Sequence, residues 1–296
     1  MTLQIQNPRF TLNSGLFCTF QPMFSKRSIS VALALTLTLV QHAFSQGDPV
    51  GGARSAALGL ASATLSDVWS AFNNQAGLAD LENSSAGVFW ENRFLMKELS
   101  TQGFAVAIPT KGGTFALSGT NFGYQLYREG QYAISYGRKL ADSFNAGLQI
   151  SYLTTRAGEG YGSTSAVAFQ LGFIYELNEQ VTLAAHAANP GRAPLSDYKD
   201  ERYPTMLKAG ASWKFSPKVS MLAEVAKDID QDVAVRAGLE YRVIEKLYLR
   251  GGVGGNDLQT SFGIGLALDE FKIDIASAYH PTLGYSPQIS MSYDVK

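Results

Sequence analysis

Cysteine is almost missing from this sequence: Cys18 is the single one in 296 residues. It lies in a stretch that export would remove, so an exported chain would carry no disulfide, thiolate metal site, cysteine nucleophile or lipidated N-terminal cysteine. Charge is scarce as well. Asp, Glu, Lys and Arg make up 17% of the residues, below the roughly 25% of ordinary soluble domains. With a net charge of −1, the chain offers no basic footprint for nucleic acid and no acidic tail. Of the three histidines, His42 falls in the removable stretch, His186 stands alone on a strand and His280 opens a Pro-containing loop. No metal-ligand spacing results, and His186 reads as a structural histidine. No serine stands in a nucleophile-elbow context, and Gly251–Gly255 lacks the following Lys-Ser/Thr of a phosphate loop. No catalytic residue, metal or cofactor is therefore assigned, and an enzyme is not expected. After Val40 no apolar run is long enough for a transmembrane helix. A membrane role has to come from strands.

What is present begins with an export signal. Lys26 and Arg27 form a basic flank, Ile29–Val40 an apolar stretch too short to cross a bilayer, and Ala43-Phe44-Ser45 the small residues of a cleavage site. We assign residues 1–45 to a leader and signal peptide, with Met23 an alternative start, and the mature chain to an outer membrane.

From Ser85 onward one pattern repeats: about ten residues with an apolar side chain at every second position, then a turn. Val233, Val235, Ala237, Leu239, Tyr241 and Val243 alternate with Ala234, Arg236, Gly238, Glu240 and Arg242, and Phe262, Ile264, Leu266 and Leu268 repeat the theme. Side chains alternate across a strand, so one face is apolar and the other wet. Soluble sandwiches alternate too, but here short connections such as Thr110–Gly113, Leu140–Ser143, Ser216-Pro217 and Asp269-Glu270 interleave with longer ones. The longer ones are Arg93–Glu98, Gly123–Gly130, Gly158–Ser163, Asn189–Tyr203, Asp228–Gln231, Gly254–Asp257 and His280–Pro287. Tight turns on one side and loose loops on the other mark transmembrane barrels. Aromatics near strand ends, among them Trp90, Tyr136, Tyr175, Trp213, Tyr241, Tyr248, Phe271 and Tyr293, suit interfacial girdles. The expected fold is all-β: a transmembrane antiparallel barrel of about fourteen strands over residues 85–296, both chain ends periplasmic. A soluble periplasmic barrel or sandwich is the alternative.

Residues 46–84 do not fit that pattern. Gly51–Ala79 is small, apolar and Gly/Ala-rich, with Arg54 and Asp67 almost its only charges. Ser66 or Asp67 can cap a short helix carrying Val68, Trp69 and Phe72, and Asn73-Asn74 can end it. We read the segment as a plug inside the barrel, with Arg54, Asp67, Trp69, Phe72 and Asn74 as its key residues; an ordinary helix lying on a globular domain is the alternative. Lys208, Lys214, Glu224, Arg236, Glu240, Arg242, Lys272 and Asp274 share the inward phase. Both signs are present, as in a hydrated, salt-bridged lumen that holds a plug.

Gly52-Ala53-Arg54-Ser55-Ala56-Ala57-Leu58-Gly59, then Ser66-Asp67-Val68-Trp69-Ser70-Ala71 and Asn74-Gln75-Ala76-Gly77-Leu78-Ala79, resemble the N-terminal hatch of the FadL-like outer-membrane proteins. They look most similar to the PorV/PorQ branch from type IX secretion systems. The match covers about thirty residues; where the family commonly has Asn-Pro-Ala, this chain has Asn74-Gln75-Ala76, trading a fixed φ for a backbone donor. The resemblance implies a plugged barrel of fourteen strands in contact with outer-membrane lipid and lipopolysaccharide. It further implies a partner of a secretion apparatus, with a FadL-type passive channel for small hydrophobic compounds as the alternative. A family-style lateral opening would lie at the third strand, which Gly119 interrupts. A secretion partner would dock on the Asn189–Tyr203 loop, which mixes proline and charge (Pro190, Arg192, Pro194, Asp197, Lys199, Asp200, Arg202). A channel would need an apolar pocket running past Trp69 and Phe72.

Overall fold

A computed structural model describes residues 51–158, 162–194, 202–255 and 258–295. The leader and its cleavage site lie outside the described residues, as do 195–201 of the Asn189–Tyr203 loop.

Fourteen strands follow one another in antiparallel order, each paired to the next, and the last pairs with the first to close a barrel. They are β1 Ser84–Asn92, β2 Ser100–Thr110, β3 Gly113–Tyr124, β4 Tyr127–Ala141, β5 Phe144–Ala157, β6 Ser163–Glu176 and β7 Val181–Ala188. The second half comprises β8 Met206–Ser216, β9 Val219–Asp228, β10 Val233–Ile244, β11 Leu247–Gly254, β12 Gln259–Leu268, β13 Phe271–His280 and β14 Gly284–Val295. Closure leaves no unpaired sheet edge, the condition for crossing a bilayer with strands. The apolar phase faces out: Val235 is 64% exposed while its neighbour Arg236 is 6% exposed. Val88, Ile134, Ile150, Phe169, Phe262 and Ile275 repeat this around the wall. Surface of that size and character belongs against lipid. Aromatic pairs mark its rims, including Trp213 with Phe215 at 4.2 Å and Phe271 with Tyr293 at 4.7 Å. No described helix is long and apolar enough to cross a membrane.

Four local expectations change. The β3–β4 connection is a tight turn: Tyr124 pairs with Tyr127, and Gly123, at φ 101°, permits the sharp reversal. Pro287 lies within β14 rather than in a loop. Its missing N–H is tolerated because the β1 ladder stops at Glu91–Gln288, leaving Pro287 paired with Ser277 of β13 alone. Tyr248 belongs to the inward phase, its ring beneath the Arg250 guanidinium at 5.5 Å, and so is not part of a girdle. Finally, β3 is unbroken. It pairs with β2 from Thr101–Phe122 to Thr110–Gly113 and with β4 from Thr114–Gly137 to Tyr124–Tyr127, without a register shift. Gly119 gives room to its neighbours instead, since a Cβ there would lie 2.6 Å from the Phe104 ring and 3.0 Å from Tyr132. Flanking aromatics cover the glycine, and no lateral opening exists at β3.

Residues 51–83 fill the lumen with two short helices, α1 Ala53–Ala57 and α2 Ser70–Asn73, and a 3₁₀ helix, Gln75–Asp80. α2 is shorter than expected, with Trp69 rather than Ser66 or Asp67 at its N-cap and no side-chain cap bond; Asp67 instead shapes the turn before it, its Oδ1 accepting from the Trp69 N–H at 2.9 Å while the Asp67 N–H donates to Ser70 Oγ at 3.1 Å.

Candidate functional site

The plug meets the barrel along two unlike walls. On the β9–β14 side contact is ionic. Arg54 of α1 donates to both carboxylate oxygens of Glu240, at 2.8 and 3.0 Å, and to Asp67 at 3.3 Å. Glu240 also accepts from Arg250 at 2.6 Å, and Arg250 reaches Asp274 at 2.5 Å. The chain Asp67–Arg54–Glu240–Arg250–Asp274 thus runs from the plug across β10, β11 and β13. Burial acts to lower the Arg54 pKa, but the Glu240 and Asp67 carboxylates outweigh it and hold the guanidinium above its usual range. A second pair, Arg236–Glu224, lies 2.8 Å apart, and the free oxygen of Glu224 accepts the backbone N–H groups of Ser62 and Ala63 at 3.0 and 2.9 Å. Ser261 accepts from Gly59 N–H and donates to the Ala57 carbonyl, and Ser290 accepts from Ala53 N–H. Gly252 completes this wall: a Cβ there would lie 2.2 Å from the Gly59 nitrogen, so only glycine admits the plug backbone.

On the β2–β6 side contact is neutral apart from one exposed ion pair at the end of the plug. Gly137, Gly147 and Gly172 are register partners across β4, β5 and β6, and a Cβ on Gly147 would lie 2.2 Å from the Gln75 carbonyl carbon. Asn74 donates to the carbonyls of Ala63 (2.7 Å) and Phe173 (3.3 Å) and accepts from Ala76 N–H, tying plug to β6. Gln75 donates to Gln149 and to Gln170, at 3.1 Å to the latter, and Gln170 meets His186 at 3.2 Å. Below, Asp80 accepts from Asn145 at 2.9 Å and pairs with Lys139 at 3.1 Å. Trp69 and Phe72, 2% and 3% exposed, stand edge-on to Phe89 at 5.6 and 5.7 Å among Val68, Leu78, Ala105, Ala107 and Ala116. They close this side of the lumen rather than line an open apolar pocket.

Of the inward charges expected from the alternation, Glu224, Arg236, Glu240 and Asp274 join the network, and Lys208 is buried opposite His186. Arg242 is half-buried beside the β10–β11 irregularity, Lys214 is exposed, and Lys272 pairs with Asp294 at 2.8 Å. Arg250, the hub between two carboxylates, escaped the sequence reading although it shares the phase of Gly252. The Gly137–Gly147–Gly172 row could not have been found there, because register aligns it. The described ends of the Asn189–Tyr203 loop turn inward: Tyr203 and Ala193 pack on Leu153, Ala166 and Ala168, and Tyr203 meets Thr155 at 2.7 Å.

No family model and no curated protein matches the sequence. Solved structures do. The toluene transporter TbuX of Ralstonia pickettii superposes with a TM-score of 0.63 at 14% identity, over 83% of this chain and 98% of the other. A Pseudomonas aeruginosa FadL homologue gives 0.61 at 13%, over 83% and 98%. The Pseudomonas putida toluene transporter TodX gives 0.61 at 12%, over 84% and 99%. At such identities the likeness is one of fold, and it lends nothing to the narrower PorV/PorQ resemblance: what the chain shares with these proteins is its fold, here a closed barrel of fourteen strands.

Proposed function

We propose that this protein is a plugged outer-membrane channel for small hydrophobic compounds. The observation that carries the reading is the match to toluene transporters over 83–84% of this chain and 98–99% of theirs. Fold alone does not confer activity, but here it comes with a lumen that a plug obstructs, a lipid-facing apolar belt and no catalytic constellation in the sequence. The test is uptake of radiolabelled toluene by a Gram-negative host without a hydrocarbon channel of its own. Cells expressing the full chain should take up toluene several-fold faster than cells carrying the empty vector; equal rates would remove the channel reading.

The closed packing of Trp69 and Phe72 on Phe89 supports a second reading, in which the barrel serves as a PorV/PorQ-like partner of a secretion apparatus and needs no path through the plug. Protein export that fails when the gene is deleted, with toluene uptake unchanged, would favour it over the channel.

A further inference from the structure

If the barrel conducts, the static plug has to yield somewhere, and the two walls differ in what yielding would break. Along β9–β14 a solute would have to part Arg54 from Glu240 and Glu224 from two plug N–H groups. Along β3–β5 it would part the exposed Lys139–Asp80 pair at the end of the turn and otherwise neutral groups, several of which are already unsatisfied. Ser118 Oγ, Ser135 Oγ, Gln149 Nε2 and Gln75 Oε1 have no hydrogen-bond partner among the described residues. Their residues are 1%, 1%, 2% and 0% exposed. They form one group: Ser135 is the register partner of Gln149, Ser118 that of Ala133 next to it, and Gln75 bonds Gln149 from the plug. A buried polar atom without a partner bears the full desolvation penalty, so a small shift of the Gln75–Asp80 turn away from this wall would be offset by hydration or by a bound solute.

The chemistry of the four atoms is complementary to a particular solute. Gln75 presents a carbonyl acceptor, Gln149 an amide donor, and the serines hydroxyls that can do either. Ala116 and Ala133 stand between them with small apolar side chains. No Asp, Glu, Lys or Arg occupies the inward positions of β3–β5 from Thr114 to Thr120, Gln131 to Gly137 or Asn145 to Leu153. We propose that solutes pass between the Gln75–Asp80 turn and the β3–β5 wall, and that Ser118, Ser135, Gln149 and Gln75 select small neutral molecules with one hydrogen-bonding group, such as phenols, over plain hydrocarbons. This inference rests on the channel reading above.

The experiment compares uptake of radiolabelled phenol and toluene by cells expressing the full chain, the S118A/S135A variant or Gln149→Leu, with barrel assembly checked by heat-modifiable electrophoretic mobility. Phenol should enter faster than toluene through the unmodified protein. Its rate should fall about fivefold in S118A/S135A, the equivalent of one neutral hydrogen bond, with toluene changing by less than about twofold. Gln149→Leu should do the same, and decides the matter if the serine variant does not assemble. Phenol no faster than toluene, or both solutes slowed alike, overturns the selectivity while leaving the channel standing. Uptake of neither solute overturns both.

Discussion

The two walls that hold the plug use opposite physics. The β9–β14 wall binds the Gly51–Leu65 half with buried ion pairs, Glu240 and Glu224 each meeting more than one donor. The β2–β6 wall binds the Asn74–Asp80 half with amides, glycines and alanines, and at its end with one exposed ion pair, Lys139–Asp80. A buried ion pair adds little net stability relative to an apolar pair, but breaking one is costly because a charge is left stranded. Neutral hydrogen bonds are individually weak and exchange with water at small loss. The ionic wall therefore acts as an anchor with a steep penalty for release, and the neutral wall as a seam that can open and reseal.

The comparison is tested most severely at Glu240. Replacing Glu240 with Ala leaves Arg54 with Asp67 alone and Arg250 with Asp274 alone, and we expect about 3 kcal/mol of destabilisation, read as a lower urea midpoint for unfolding in detergent or lipid. Gln75→Ala on the opposite wall should cost about 1 kcal/mol. Equal losses at the two sites would erase the distinction between anchor and seam.

The next test crowds each wall in turn. A methyl group at Gly147 or at Gly252 meets plug backbone at 2.2 Å, and overpacking of this kind costs about 1–3 kcal/mol. The outcomes should differ in kind. Gly147→Ala should push the seam open and raise conductance in planar bilayers, whereas Gly252→Ala should lower stability with the lumen still closed. Conductance rising in Gly252→Ala alone would reverse the roles of the walls.

Much of this architecture is legible in the alternation of residues. The phase that puts Val235 and Leu239 outside also puts Arg236 and Glu240 inside, and the Gly/Ala composition of residues 51–79 marks a segment able to approach other backbones closely. The misreadings share a cause: each depended on what stands beside a residue on the next strand. Gly119 resembles a break until Phe104 and Tyr132 are seen to cover it, and Pro287 resembles a loop until the β1 ladder is seen to stop one residue short. Ser118, Ser135 and Gln149 carry no signal in the chain because their proximity to one another and to Gln75 is set by register and by the depth at which the plug comes to rest.

The smallest expected effect separates the walls by salt. Lys139 and Asp80 tie the end of the plug to β4 at 3.1 Å, but the lysine side chain is 56% exposed. Such a pair contributes about 0.2–1 kcal/mol and weakens as salt shortens the Debye length from about 8 Å at physiological ionic strength to about 3 Å at 1 M. Lys139→Met should therefore lower the urea midpoint slightly at low salt, and the difference from the unmodified protein should vanish near 1 M. The penalty for Glu240→Ala should persist at both salt concentrations, because Arg250 and its carboxylates are shielded from solvent ions. If salt erased both differences alike, the ionic wall would be hydrated like the seam, and the anchor would have to be sought in the Gly252 contact and the Ser261 and Ser290 hydrogen bonds instead.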